Sequence, residues 1–265
     1  MRGMQRAGAV RTLGKQQRGV SQQNFEHPPA NAAKQPSNPL SSVARILAQD
    51  MGAAPQPNRT MRDPILIDVP GQLDTARLLL RPPRPGDGAQ VFAAVAESIA
   101  ELRRFAASMA WALAEPHLDA SEAYCRQANA NFALRKDLPY LLFERSSGDL
   151  VGASGLHRFD WAVPRFKIGY WCRSSRTGQG FVTEAVQALT AMAFDTLGAR
   201  RVEIFTDDLN QASWRVAERA GFVLEGVHRH MRSDPDGTLR DMRVYARLRR
   251  TCPYFGVPSG ALGAV

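Results

Sequence analysis

The sequence predicts an α/β (α+β) fold, a mixed and mostly antiparallel sheet flanked by helices. Three patterns carry that expectation. Segments 138–144, 150–161 and 165–173 read as consecutive strands, joined by turns at Ser146-Ser147-Gly148-Asp149 and Ala162-Val163-Pro164. A helical stretch from Gly180 then sets Val182, Val186, Leu189, Ala193 and Phe194 along one stripe, the face a helix turns to a sheet. Segments 222–231 and 240–248 close the pattern as a strand pair about the strong turn Asp234-Pro235-Asp236-Gly237.

The elements between follow from local signals. Segment 77–81 is a strand, and Pro85-Gly86-Asp87 caps an apolar-periodic helix through Val91, Phe92 and Val95. A second helical region extends to about residue 114. Asp119 or Ser121 caps a longer helix through Tyr124, Ala128 and Phe132. Segment 201–206 is a strand and 211–220 a helix. Together they make one domain of ordinary size, residues 61–250.

The flanks differ in kind. Residues 1–60 are rich in Gln, Ala, Asn, Pro and Arg without apolar periodicity, so they are expected to be a disordered basic extension. Residues 251–265 read as a flexible tail. Residues 1–70 carry nine basic and four acidic side chains, which puts +5 of the chain's +9 on about a quarter of its length. Such an arm would touch RNA or a ribosome through phosphate contacts. It competes with two other readings: a mitochondrial presequence, disfavoured by few Leu and Ser, and a true start at Met61. No apolar run reaches the roughly 18–20 residues that span a membrane. The N-terminus has no secretory core, and Cys125, Cys172 and Cys252 match no metal or disulfide spacing. These features point to a cytoplasmic protein without a metal or a membrane partner.

The chemistry concentrates in Ser174-Ser175-Arg176-Thr177-Gly178-Gln179-Gly180-Phe181-Val182-Thr183-Glu184-Ala185, between the strand at 165–173 and the helix from Gly180. Two glycines one residue apart let backbone N–H groups crowd around one anion. The helix start adds unpaired N–H groups and the positive end of its dipole. Arg173 and Arg176 are expected to add mobile positive charge, making a phosphate cradle for a ligand that carries a pyrophosphate. The competing reading is a strand-to-helix turn whose glycines serve backbone shape alone. Thr183 fills the slot of a third Rossmann glycine, and the P-loop Gly-Lys-Ser/Thr is absent.

With three further segments, this loop resembles the GNAT superfamily of N-acetyltransferases, in particular the ribosomal-protein-type branch. The segments are Thr75-Ala76-Arg77-Leu78-Leu79-Leu80-Arg81-Pro82, Lys167-Ile168-Gly169-Tyr170-Trp171, and Asn210-Gln211-Ala212-Ser213 followed by Ala220-Gly221-Phe222. The resemblance covers residues 74–248. It implies the GNAT fold with splayed fourth and fifth strands, and acetyl-CoA as co-substrate with its pantetheine arm in the gap. The implied coenzyme A contacts are Trp171, Cys172, Arg173, Arg176, Thr177, Gly178, Gln179, Gly180 and Phe181, with Asn210 and Ser213 beside the acyl group. The Trp171 N–H is implied to point at the thioester carbonyl, while its indole also reads as a core aromatic. A preorganised donor of that kind is worth about 2.7–4 kcal/mol.

Two positions depart from the family. Lys167 stands where many relatives carry a Glu base, and Ala217 where many carry a Tyr acid. By the ribosomal-type pattern Ser213 becomes the proton donor to the thiolate, with Asn210 orienting the pantetheine or a water. The competing roles are a helix cap for Asn210 and a solvent-facing first turn for Ser213. Without a strong base the site should prefer α-amines, whose pKa is about 7.7–8.0. A lysine side chain sits near 10.4, and neutralising it at pH 7 costs ~3.4 kcal/mol more.

His157, Asp160 and Glu225 are candidate substitute bases. By resemblance, the stretch from His157 to Trp161 lies on the acceptor side, with Phe159 and Trp161 walling a channel and Asp160 holding an ammonium. The competing reading is a hairpin tip with packed aromatics. His228 and His230 suggest a shared face but lack a third ligand for zinc. No residue is set as a covalent nucleophile. The expected activity is transfer of an acetyl group from acetyl-CoA to a primary amine, most simply a protein or peptide N-terminal α-amine, by a monomer or homodimer. Two alternatives stand beside it: acetylation of a small-molecule amine, and a catalytically weak acyl-CoA-binding protein.

Overall fold

A computed structural model describes residues 63–249. The basic arm, the tail after residue 250 and Cys252 lie outside the described residues. Within them the chain forms one eight-stranded sheet in the order β1-β2-β3-β4-β5-β6-β8-β7. The strands are β1 (Leu73–Asp74), β2 (Leu78–Arg81), β3 (Leu138–Glu144), β4 (Leu150–Asp160), β5 (Arg165–Cys172), β6 (Arg201–Asp207), β7 (Val223–Ser233) and β8 (Leu239–Leu248). The helices are α1 (Gly88–Arg103), α2 (Leu118–Ala133), α3 (Phe181–Asp195) and α4 (Gln211–Arg219). All neighbouring strands run antiparallel except β5 and β6, which are parallel.

The near-continuous apolar run of β3 makes sense in a sheet covered on both faces. Tyr140 and Leu142 join a core formed with α3, whose Val182, Val186, Leu189 and Ala193 are all buried. Leu141 and Phe143 alternate to the opposite face, where they meet Val91, Ala94 and Cys125 of α1 and α2. The period-2 alternation of a strand thus divides one sequence between two cores.

Local caps differ from those expected. Asp87 makes no side-chain cap, because Arg81 takes both its carboxylate oxygens at 2.7 Å. Burial opposes the effect, yet the Arg81 and Arg84 contacts hold its carboxyl below the ordinary range. The free amides of Gly86 and Gly88 are served instead by Glu122 of α2, at 3.0 and 3.1 Å. His117 caps α2, its Nδ1 accepting from the Asp119 N–H at 3.2 Å, in place of Asp119 or Ser121. The second helical region is a short 3-10 turn at Ala110–Leu113, separate from α1.

The extra two-residue strand β1 moves the numbering by one, so the splayed pair is β5 and β6. They pair only through Arg165↔Arg201, Phe166↔Val202 and Lys167↔Glu203. Beyond Lys167 the two strands part.

Candidate active site

The parting opens a cleft of about 760 Å³ that runs between β5 and β6 and under α1, α2 and the 3-10 turn. Which backbone groups face it follows from register. The Arg173 N–H donates to the Val151 oxygen at 2.8 Å. In an antiparallel ladder bonded positions recur every second residue, so Trp171 and Gly169 also turn their backbone toward β4. The Ile168 N–H is taken up in the last β5–β6 pair, Lys167↔Glu203, and beyond it Tyr170 and Cys172 turn their N–H and C=O groups into the gap. The buried hydroxyl of Thr206, which lines the same cleft from β6, has no partner among the described residues.

The glycine loop leads from the end of β5 into α3. Gly178 and Gly180 hold φ of 75° and 82°, the left-handed region that glycine adopts without strain. A Cβ placed on Gly178 would meet nothing within 4 Å, so the loop's outer side is open. No hydrogen bond among the described residues uses the amides of residues 178–183. Those donors and the start of α3 form an anion nest. Arg77 secures it from β2, donating to the Gln179 carbonyl at 2.8 Å, pairing with Glu184 at 2.7 Å and lying over the Phe181 ring at 4.5 Å. From α1, Glu97 accepts from the Ser175 N–H at 2.9 Å and pairs with Arg173 at 2.6 Å. These contacts pull the Glu97 carboxyl down to about 2.

At the other wall of the gap, α4 begins with Asn210, whose side-chain oxygen accepts from the Ser213 N–H at 3.0 Å. Ser213 Oγ donates to Tyr170 Oη at 3.2 Å, and Tyr170 Oη donates to the Ser213 carbonyl at 2.9 Å. Burial raises the Tyr170 phenol well above its ordinary value, so it stays protonated. On the acceptor side, His157 and Lys167 sit directly opposite one another on β4 and β5. The His157 ring lies over Gly169, where a Cβ would come within 2.8 Å of it. Burial and the neighbouring Arg158 charge hold this imidazole below its ordinary pKa, so it is neutral at pH 7. The Lys167 ammonium stacks on the Phe205 ring at 3.7 Å, and burial lowers its pKa against the pull of Glu203.

Comparison with known proteins bears on this arrangement. Residues 77–223, more than half of the chain, match the family described as "Acetyltransferase (GNAT) domain". The chain belongs to the GNAT acetyltransferase family. Among curated GNAT relatives, the "Putative ribosomal N-acetyltransferase YdaF" of Bacillus subtilis (strain 168) is 35% identical over 39% of this chain and 56% of its own length. The "Ribosomal-protein-serine acetyltransferase" of Escherichia coli (strain K12) is 31% identical over 41% of this chain and 59% of its own length. The chain thus spans between half and two thirds of both. A solved structure of RimL, a ribosomal L7/L12 alpha-N-protein acetyltransferase in complex with coenzyme A, shares the fold. Its TM-score is 0.60 at 24% identity, covering 68% of this chain and 97% of that one.

Within the GNAT frame several expected site residues stand elsewhere. The Trp171 N–H is directed to β4, so the amides in the gap belong to Tyr170 and Cys172. The Trp171 indole faces the cleft and meets Trp111 with ring centres 6.1 Å apart. Arg173 and Arg176 are both paired with carboxylates: Glu97 holds the first, and Glu144 (3.0 Å) and Asp149 (2.5 Å) hold the second. Asp160 pairs with Arg165 at 3.2 Å and Trp161 packs on Phe159 and Phe166, so neither lines the cleft. That segment is a hairpin tip, because a bulge after His157 turns it away. Glu225 is bound by both terminal nitrogens of Arg201, which lowers its pKa and removes it as a base. Thr177 ties its hydroxyl to the Ser174 carbonyl at 2.9 Å, and Gln179 reaches the Ser175 carbonyl at 3.3 Å.

Tyr170, Arg77 and Glu97 are site residues that sequence reasoning missed. For Tyr170 a signal existed, a phenol one residue from Trp171, but its partner is 43 residues away. Burial pushes the Cys172 thiol up to about 11, which suits a wall and not a nucleophile. Among the described residues no three His, Cys, Asp or Glu side chains are arranged to hold a metal, and no helix is long and apolar enough to cross a membrane. The residues present fit acetyl-CoA. The open amide nest suits a pyrophosphate, the gap between β5 and β6 offers amides to a pantetheine arm, and the orphaned Thr206 hydroxyl lines that path.

Proposed function

We propose that the chain transfers an acetyl group from acetyl-CoA to a primary amine, and that the amine is the α-amine of a protein or peptide N-terminus. One observation carries this reading: the amide nest at 178–183 stands just past the end of β5, whose parted stretch lines the cleft that also holds the Ser213–Tyr170 pair and the neutral His157. The names of the ribosomal-protein acetyltransferases among its relatives support it.

Acetyl-CoA supplies a thioester carbonyl open to attack by an amine. Around it the chain's own groups divide the work. The Tyr170 and Cys172 amides, fixed by the β4–β5 ladder, are the donors for a carbonyl oxygen in the gap. Ser213 Oγ is the proton donor for the departing thiolate. Tyr170 positions that hydroxyl and, with a second bond to the Ser213 carbonyl, holds the first turn of α4. Of the three candidate bases, His157 is the one that lines the cleft, while Asp160 and Glu225 are held by arginines. A neutral imidazole can take a proton from an α-ammonium of pKa about 7.7–8.0. It is too weak to deprotonate a lysine side chain efficiently at pH 7.

Free-thiol release from acetyl-CoA tests the reading, with three acceptors: short peptides with a free N-terminus, N-blocked lysine peptides, and small amines such as polyamines. The expected result is turnover on the first class. Turnover confined to lysine or to small amines would overturn the choice of acceptor. Absence of release with all three would overturn the transferase.

A further inference from the structure

The acceptor end of the cleft is lined by cations that have no carboxylate to neutralise them. Arg158 comes from β4, Lys167 from β5 and Arg232 from β7, and all three line the same cleft as His157. None of the three has a carboxylate within 4 Å among the described residues. Glu203, which acts on Lys167, is already taken by Arg201 at 2.6 Å. The cleft's own carboxylates are Glu115 and Asp137, from the segments flanking α2, and Asp207 of β6; Glu115 is paired with Arg103 and Asp207 with Arg240. Burial and the nearby Arg158 charge disfavour the charged forms of both His157 and Arg232, and Lys167 adds to the effect on His157.

The backbone is bent to bring these charges together. Successive residues of a regular strand point to opposite faces. His157 and Arg158 nevertheless both line the cleft, because β4 carries a bulge there and Arg158 adopts φ 52°. A second bulge in β7, between His228 and Arg232, has His230 at φ 52°. Arg232 follows it, with one nitrogen fixed on the Ala107 carbonyl at 2.9 Å. Left-handed backbone costs a non-glycine residue roughly 1–2 kcal/mol, and bulges recur where a side chain is re-aimed toward a site. Two strained bulges on different strands, each aiming a cation into one cleft, are costly for stability and make sense as recognition.

We infer that Arg158, Lys167 and Arg232 form an anion-recognition site for the acceptor, so that the preferred peptide N-terminus carries an acidic side chain within its first few residues. The inference rests on the peptide α-amine reading above and names its substrate class. The same cations serve the chemistry. They repel an ammonium and so favour the neutral amine that must attack, which lessens the demand on a base where Lys167 stands.

The test uses the full chain and three peptides with the same first residue, followed by two Asp, two Asn or two Lys. Isothermal titration without acetyl donor gives affinity, and thiol release gives kcat/KM. The Asp peptide should bind and react about tenfold better than the Asn peptide, and the Lys peptide worst, with the preference shrinking as salt is raised. Arg158→Gln and Arg232→Gln should each narrow the Asp-over-Asn ratio, and Arg158→Glu should invert it toward Lys. Equal binding and turnover of the Asp and Asn peptides by the wild-type chain would overturn the anion site while leaving the peptide α-amine reading intact. No turnover of any peptide, with turnover of a small amine, would overturn that reading and this inference with it. The wild-type comparison decides even if a variant fails to fold.

Discussion

His157 is where the protonation chemistry of the cleft becomes measurable. Its pKa lies below the ordinary imidazole value because burial and the Arg158 charge penalise the imidazolium. The neutral ring is the working form, so kcat/KM on a peptide should rise with pH through that depressed value, then again as the α-amine deprotonates. His157→Gln should remove the lower limb and reduce kcat/KM by about 10²-fold, the smaller end of what a positioned base contributes. The stability effect has the same sign. The unfolded ring binds a proton near 6.5 and the folded ring does so only at lower pH. The contribution to stability is therefore complete above 6.5 and is lost as pH falls through the folded value. Urea midpoints at pH 5 and pH 8 should differ less in His157→Gln than in the wild type. Ser213 and Tyr170 act at the opposite side of the gap. Ser213→Ala should lower kcat by about 10²-fold, with acetyl-CoA binding little changed. Tyr170→Phe leaves the serine hydroxyl without its acceptor and should lower kcat in the same direction. A fall in affinity in place of kcat would make both residues part of the binding wall only.

The glycine loop and its helix give the element-scale prediction. At φ 75° with open space around its Cβ, Gly178 tolerates a side chain sterically and pays only for the left-handed backbone, roughly 1–2 kcal/mol. Gly178→Ala should therefore fold and bind acetyl-CoA with modest loss. Gly178→Glu sets a carboxylate before the same amides and should abolish binding in a titration, with the circular dichroism spectrum unchanged. Equal binding by the Glu variant would show that the pyrophosphate lies elsewhere. This loop was legible in the sequence because a left-handed turn and a helix start are local properties written in Gly178, Gly180 and the stripe behind them. Its fastenings were not, since Arg77 and Glu97 reach it from about a hundred and about eighty residues away. Strand phase was equally hidden. That Tyr170 and not Trp171 turns its amide into the gap depends on the β4–β5 register, and that Arg158 enters the cleft depends on a bulge. Neither leaves a periodic mark in the chain. Asp87 reads as a cap from its position, and only the fold brings Arg81 against it. The two residues of β1 are too few to signal a strand at all.

Across the whole described molecule, the sheet is two parts held by a narrow bridge. Strands β1 to β5 form one antiparallel run and β6, β8 and β7 another, joined by three residue pairs near Lys167. A ligand lying along the parted ends would connect the two parts with hydrogen bonds that the protein itself does not make. Binding to the folded state alone should stabilise it by about 2.7 kcal/mol at a ligand concentration of a hundred times Kd. The location of that gain is the sharper test. Hydrogen exchange at the amides of Tyr170 and Cys172, and at residues 178–183, should be fast without ligand and slow markedly with acetyl-CoA. The β3–β4 ladder from Leu138↔Leu156 to Leu142↔Gly152, already paired within the sheet, should exchange at the same rate in both states. Protection confined to the loop would place the phosphates in the nest but leave the pantetheine outside the gap. Protection at β5 together with the loop would tie the parting of the sheet to its ligand, because a protein gains nothing from leaving buried strand amides unpaired unless something else is to bind them.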